Sequence, residues 1–164
     1  MLARGSSAFD EPTLHVLAHG LQCGAILRHE HPGDLELQVA GLVHDIADAH
    51  TPHDHTDHDR RGAQLVRPLL GARVARLVEA HVLAKRYLVT TEPEYRTVLN
   101  ERSTETLAKQ GGILGATELE FLDRDPDLEA ILALRRADER AKDPNADVPG
   151  LDGWRPILES IALR

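Results

Sequence analysis

The sequence predicts an all-α fold, a single helical bundle with a metal site in its core, and three observations carry the helical part. Apolar residues recur at steps of three and four along most of the chain, and no segment alternates with the two-residue period of a half-buried strand. Aromatic residues are only 3% of the composition, so the core has to be built from Leu, Val, Ile and Ala, which suits helices better than a β-sandwich. The length of 164 residues is enough for one sizeable core and hardly enough for two.

Residues 1–12 read as a flexible lead-in, and the bundle domain spans 13–143. Helical periodicity starts near Thr13 and runs to about His29, where Pro32-Gly33-Asp34 stops it. A second helix is expected from Leu35 to Ala47. A His- and Asp-rich loop follows, then a short helix from Asp59 to Leu70 with Pro68 near its end. Gly71 punctuates, and a strong helix runs from Ala72 to about Val89. Glu92-Pro93-Glu94 opens a short helical piece, and Ser103 reads as the N-cap of a helix over Thr104–Gln110 that Gly111-Gly112 ends. Thr117-Glu-Leu-Glu reads as another helix start. Asp125-Pro126-Asp127 opens a long helix reaching about Lys142. Residues 144–164 form a Pro- and Gly-punctuated tail that carries Trp154 and packs on the domain or extends from it.

The composition, 28% charged and 41% hydrophobic, is that of an ordinary globular protein. The formal charge of −8, with no basic run, argues against nucleic acid as a partner. It does not exclude an anionic substrate, because a buried metal cluster sets its own local field. The single cysteine, Cys23, allows no internal disulfide and fits a reducing compartment. No apolar run approaches membrane-spanning length and the N-terminus has no apolar signal region, so a cytoplasmic protein with no membrane partner is expected.

Ionisable residues on the apolar faces are the informative ones. Val16, His19, Cys23 and Ile26 share one stripe, and Leu37, Ala40, Gly41 and His44 another, with Asp45 about 100° round from His44. Val74, Leu77, Val78, His81, Lys85 and Leu88 share a third, and Ile131, Leu134, Asp138 and Ala141 a fourth. Taken singly, an inward histidine is more often a hydrogen-bonded core residue than a ligand, and an inward aspartate more often a cap or an ion-pair partner. Four helices each turning such a residue inward point instead to convergence on metal in the bundle core. His19, His44, Asp45 and Asp138 would supply an N/O set for one metal, while His81 and a loop histidine would supply a second. Between Asp48 and Asp59 stand four of the chain's ten histidines, His50, His53, His55 and His58, and spacing alone does not choose among them. No thiolate candidates accompany them, which argues against a structural zinc knuckle.

The order His19, His44-Asp45, Asp138 resembles the H…HD…D pattern of the HD-domain superfamily, whose members are all-α metalloenzymes and mostly phosphohydrolases. The stretches His19-GLQCGA, Val43-His44-Asp45-Ile46, His58-DRRGA, His81-VLAKRYL, Ser103-TETLAKQGG and LRRADERAK resemble, more closely, the PhnZ-type phosphonate-cleaving oxygenases of that superfamily. The resemblance covers about residues 9–143. It implies a mixed-valence di-iron centre that uses O2 to break a carbon–phosphorus bond. It makes His19, His44, Asp45 and Asp138 the ligands of one iron, with Asp45 bridging to a second iron held by His58 and His81. Catalysis is then metal-centred. Lys85 matches a lysine that binds the substrate's phosphonate, and Ser103 falls where a serine contacts the same group. Of the four loop histidines only His58 fits the family's H-x-x-x-G-A pattern, which leaves His50, His53 and His55 as spectators.

The sequence also departs from that pattern. Asp48 stands where relatives often carry a second histidine, and Thr106 where they carry Gln or Ser. Phe9 and Glu11 are the nearest candidates for a tyrosine and a glutamate that gate the open iron and contact the substrate amine, and Phe9 could not coordinate metal. The expected substrate is therefore a small 1-hydroxyalkylphosphonate, such as an aminohydroxyethylphosphonate or an N-modified analogue, acted on with O2, with Lys85, Ser103, Thr106, Asp48 and Glu11 around it. The plain 2-amino-1-hydroxyethylphosphonate is expected not to be the preferred one. The other reading is a phosphohydrolase that uses Mn, Mg or Zn in the same cage on a nucleotide or other phosphate ester. A degenerate domain acting as an interaction module or sensor is a third. A homodimer stays open.

Overall fold

The computed structural model of the protein describes residues 9–11, 14–49 and 57–162. Its elements in chain order are β1 (Phe9–Glu11), β2 (Leu14–His15), α1 (Val16–Glu30), α2 (Leu35–Val43), α3 (His58–Thr91), a 3-10 turn (Pro93–Thr97), α4 (Glu101–Lys109), α5 (Ala116–Asp123), α6 (Leu128–Arg140) and α7 (Leu151–Ile161). The all-α expectation holds for the body of the molecule, with one addition. β1, within the expected lead-in, pairs antiparallel with β2, at the expected start of the first helix, with Phe9 opposite His15 and Glu11 opposite Leu14. Strands of three and two residues are too short to leave an alternating pattern in the sequence.

α1 packs along α2, and α3 lies against α2 and α6. The crossing of α1 and α2 is close enough that a β-carbon on Gly20 would sit 2.3 Å from the backbone oxygen of Leu42. Asp34 caps α2, its Oδ1 accepting the Leu37 N–H at 3.0 Å. The Arg73 guanidinium donates to both oxygens of that carboxylate at 2.7 Å and to Asp127 at 3.1 Å, which ties α2 and the start of α6 to α3. α2 ends at Val43 rather than Ala47 because the chain tightens into turns, with Ile46 N–H donating to Val43 O and Asp48 N–H to Asp45 O.

α3 is two helical segments joined at Gly71, as the sequence suggested. Gly71 has φ 91° and ψ 177°, a backbone conformation that suits glycine. The break has a large consequence. His58 and His81 are 23 positions apart and would be about 35 Å apart in a straight helix; instead their Nε2 atoms lie 3.0 Å apart.

The main core contains Leu27, Leu37, Leu77, Val78, Ile131 and Leu134, and Trp154 on α7 is buried among them. The C-terminal tail is thus docked on the bundle through α7. A smaller cluster, Leu88, Val89 and Tyr95 with Leu99, Leu107 and Leu132 against it, lies beside the 3-10 turn. α4 begins earlier than its sequence suggested. Its cap is Asn100, whose Oδ1 accepts the Ser103 N–H at 2.6 Å, so Ser103 lies in the first turn and its hydroxyl is not committed as a cap. No helix among the described residues is long and apolar enough to cross a membrane.

Candidate metal centre

Two overlapping groups of side chains can each hold a metal ion, His19–His44–Asp45 and Asp45–His58–His81. Asp45 belongs to both. Its Oδ2 lies 3.4 Å from His44 Nε2 and 4.0 Å from His19 Nε2, and its Oδ1 lies 3.6 Å from both His58 Nε2 and His81 Nε2. The two oxygens of one carboxylate are thus divided between two histidine pairs. The turn after α2 makes this division, because it releases Asp45 from the helix while His44 stays in the core. Asp138, from α6, closes the first group, its Oδ1 3.1 Å from His19 Nε2 and 3.7 Å from His44 Nε2.

The donor set fits cations. His19, His44 and His81 each turn Nδ1 to a backbone carbonyl, at Ala141 (2.7 Å), Gly41 (2.8 Å) and Val78 (2.6 Å). A carbonyl only accepts, so Nδ1 carries a proton in each ring, and Nε2 is the atom each turns to the centre, a bare donor whenever the ring is neutral. Those Nε2 atoms converge on one another and on the carboxylate oxygens, His19 Nε2 to His44 Nε2 at 3.3 Å and His58 Nε2 to His81 Nε2 at 3.0 Å. Such a convergence of nitrogen and carboxylate donors is one that a cation can occupy.

The acid–base properties say the same. Burial and the neighbouring His58 lower His81 to about 3, so it is a neutral imidazole near pH 7. Burial opposes the charge on Asp45, but His44, His58 and His81 outweigh it and hold the carboxyl below its usual range. Asp138 is held well below that range too, since Arg135 and the bonds to His19 and His44 outweigh its burial. Burial opposes protonation of His44, yet Asp45 leads the neighbours that raise it well above the ordinary imidazole value. The set draws in positive charge, which a proton or a metal supplies. Cys23 lies beside His44, and burial pushes its thiol up, so it offers no thiolate.

A group of buried cations adjoins the metal groups. Lys85, one turn beyond His81, is 4% exposed. Its Nζ donates to Thr106 Oγ1 at 2.9 Å and to Ser103 O at 3.3 Å, and no carboxylate is among its described partners. Burial, then the nearby Arg135, lower its pKa to about 8. Arg135 reaches the same serine from α6, Nη2 donating to Ser103 Oγ at 3.3 Å. The guanidinium also donates to Asp138 and Glu139, and its Nε–H donates to Tyr95 Oη at 2.9 Å. Two buried cations therefore meet at Ser103, and one of them is bonded to a candidate metal ligand.

The expected residues His19, His44, Asp45, His58, His81 and Asp138 come together in this structure, as do Lys85, Ser103 and Thr106. Asp48 is buried, three residues past Asp45, and its N–H donates to Asp45 O at 3.0 Å. The Glu11 backbone is in β1, near the start of α1, but its side chain and that of Phe9 lie outside the described residues, as do His50, His53 and His55. Arg135 and Tyr95 went unnoticed in the sequence. Arg135 had a signal, since it precedes Asp138 by three residues and so shares its helix face. Tyr95 had none.

The HD-domain family matches residues 11–146. A hydroxymethylphosphonate dioxygenase from Gimesia maris is 31% identical over 169 residues, covering 98% of this chain and 83% of that protein. A 1-hydroxy-2-(trimethylamino)ethylphosphonate dioxygenase (glycine-betaine-forming) from Leisingera caerulea is 30% identical over 166 residues, covering 96% of this chain and 84% of that protein.

Proposed function

The chain belongs to the HD-domain family, and from that premise we propose that it is a di-iron dioxygenase cleaving the C–P bond of a 1-hydroxyalkylphosphonate. The substrate and O2 give a carboxylate and phosphate. The C1–H and C–P bonds break, O2 is the oxidant, and both of its oxygen atoms enter the products. The observation that carries the reading is the Asp45 carboxylate divided between two histidine pairs, beside the cationic group at Ser103. It is supported by two relatives that match nearly the whole chain and are both phosphonate dioxygenases.

In this reading His19, His44, Asp45 and Asp138 would hold one iron, and Asp45, His58 and His81 would hold the other. When bound, the irons supply Lewis acidity toward the substrate hydroxyl and the electrons exchanged with O2. The chain's own residues do the positioning. Lys85 and Arg135 both offer N–H donors at Ser103, and a phosphonate would give Lys85, whose present hydrogen-bond partners are neutral, an anionic one. Ser103 Oγ and Thr106 Oγ1 add hydroxyl donors to the same anion. With the phosphorus end fixed there, C1 and its hydroxyl face the metal groups, and the burial of Lys85, Arg135 and all four histidines excludes water from the reacting atoms.

The test is anaerobic loading with Fe(II), followed by phosphate release with and without O2. The substrates are hydroxymethylphosphonate, 2-amino-1-hydroxyethylphosphonate, its N-trimethyl analogue, and a nucleotide and other phosphate esters. O2-dependent phosphate from a hydroxyphosphonate, with one O2 consumed per phosphate, is expected. Phosphate released from the esters without O2 by the Mn(II)-loaded protein, with none from the phosphonates, would replace this reading with a phosphohydrolase.

A further inference from the structure

Arg135 is bonded to a residue outside both metal groups. Tyr95 sits in the 3-10 turn, between the helix that carries His81 and Lys85 and the helix that carries Ser103 and Thr106. It is buried with Leu88 and Val89 in the smaller core cluster. Its hydroxyl oxygen accepts the Arg135 Nε–H at 2.9 Å. The guanidinium is thereby bonded on every edge, at Nε by Tyr95, at Nη1 by Asp138, and at Nη2 by Ser103 and Glu139.

Arg135 does not need the phenol to balance its charge, because Asp138 and Glu139 already provide two carboxylates. What the phenol adds is direction. A planar guanidinium held through its terminal nitrogens alone can rotate about its own stem, and an acceptor at Nε removes that freedom. The same Nη2 serves Ser103, so the plane fixed by Tyr95 sets how Arg135 meets the serine and whatever anion is bound beside it.

We propose that Tyr95 is a positioning residue for the phosphonate end of the substrate, its hydroxyl holding Arg135 Nε so that Nη2 stays turned toward Ser103. The inference rests on the anion site described under the proposed function. Tyr95→Phe keeps the ring and removes only the hydroxyl, and methylphosphonate is a probe that reports the anion site without turnover. The Kd of methylphosphonate on the metal-loaded protein, followed by 31P NMR, should rise about tenfold in Tyr95→Phe. KM for the hydroxyphosphonate should rise in parallel while kcat and metal content stay within about twofold. In an Arg135→Lys background, which lacks Nε, adding Tyr95→Phe should change the Kd by less than twofold. A tenfold weakening in both backgrounds would make the hydroxyl a packing feature and overturn the proposal, as would an unchanged Kd in Tyr95→Phe alone. A wild-type protein that binds no methylphosphonate would overturn the anion site itself, and this inference with it.

Discussion

Lys85 is the residue whose environment most directly predicts behaviour. A buried ammonium bonded to a hydroxyl and a carbonyl has given up water without gaining an anionic hydrogen-bond partner, and burial and Arg135 outweigh the more distant carboxylates Asp138, Glu139 and Asp45. Its pKa of about 8 is the result. In the proposed function a bound phosphonate supplies an anionic partner, so binding there requires the protonated form. As pH rises through about 8 the free protein loses that proton, and affinity for the phosphonate dianion should fall above this value. Lys85→Met should weaken binding by roughly 2 kcal/mol, a factor of about thirty, abolish the decline near pH 8 and leave the metals in place. A wild-type Kd that is constant from about pH 7 to pH 9.5 would contradict the assignment. Lys85 was legible in the sequence because it shares a helical stripe with His81, and a stripe is a property of one helix. Arg135 was harder to read. It stands next to Arg136 on α6, and what turns one of the two inward is a serine, a tyrosine and two carboxylates, of which Ser103 and Tyr95 come from elsewhere in the chain.

At the scale of elements, the metal groups are set by how closely helices approach. His19 follows the stripe of α1, but its distance to His44 is decided by the α1–α2 crossing at Gly20. A β-carbon there would lie 2.3 Å from Leu42 O, a backbone atom that can yield only if the helices separate. Gly20→Ala should therefore cost about 1–3 kcal/mol of stability. It should also weaken metal binding, though residue 20 ligates nothing, by widening the 3.3 Å spacing of His19 and His44. Thermal unfolding and a metal titration read the two effects, and a variant with full stability and wild-type metal affinity would show that the crossing is looser than this geometry. The pairing of His58 with His81 follows the same logic, because Gly71 folds α3 back on itself. The punctuation at Pro68 and Gly71 was visible in the sequence, whereas the direction of the turn was not, since Gly71 alone does not specify which way the chain leaves it. Ser103 was misread as a cap for a related reason. Asn100 offers an equally good side chain three residues earlier, and only the observed bond to the Ser103 N–H decides between them.

Across the whole molecule, the candidate ligands come from α1, the turn after α2, both segments of α3, and α6, the elements that pack into the main core. Metal bound there cross-links those elements and binds the folded chain alone, so it stabilises the fold by mass action, about 4 kcal/mol at a thousandfold excess over Kd. For a chain of this size that corresponds to a rise in Tm on the order of 10 °C. Chelation should lower the Tm by this amount without abolishing cooperative unfolding, because the apolar core from Leu27 to Trp154 is built independently of the metals. The variants should then divide according to the sharing of Asp45. His81→Ala removes a donor from one group only, so its metal content should drop from about two per chain toward one and its Tm should keep part of the metal-dependent rise. Asp45→Ala removes the carboxylate common to both groups, so both metals and nearly all of that rise should be lost. Two metals retained in His81→Ala would end the dinuclear description, and a single metal surviving in Asp45→Ala would show that the carboxylate serves one group and not both.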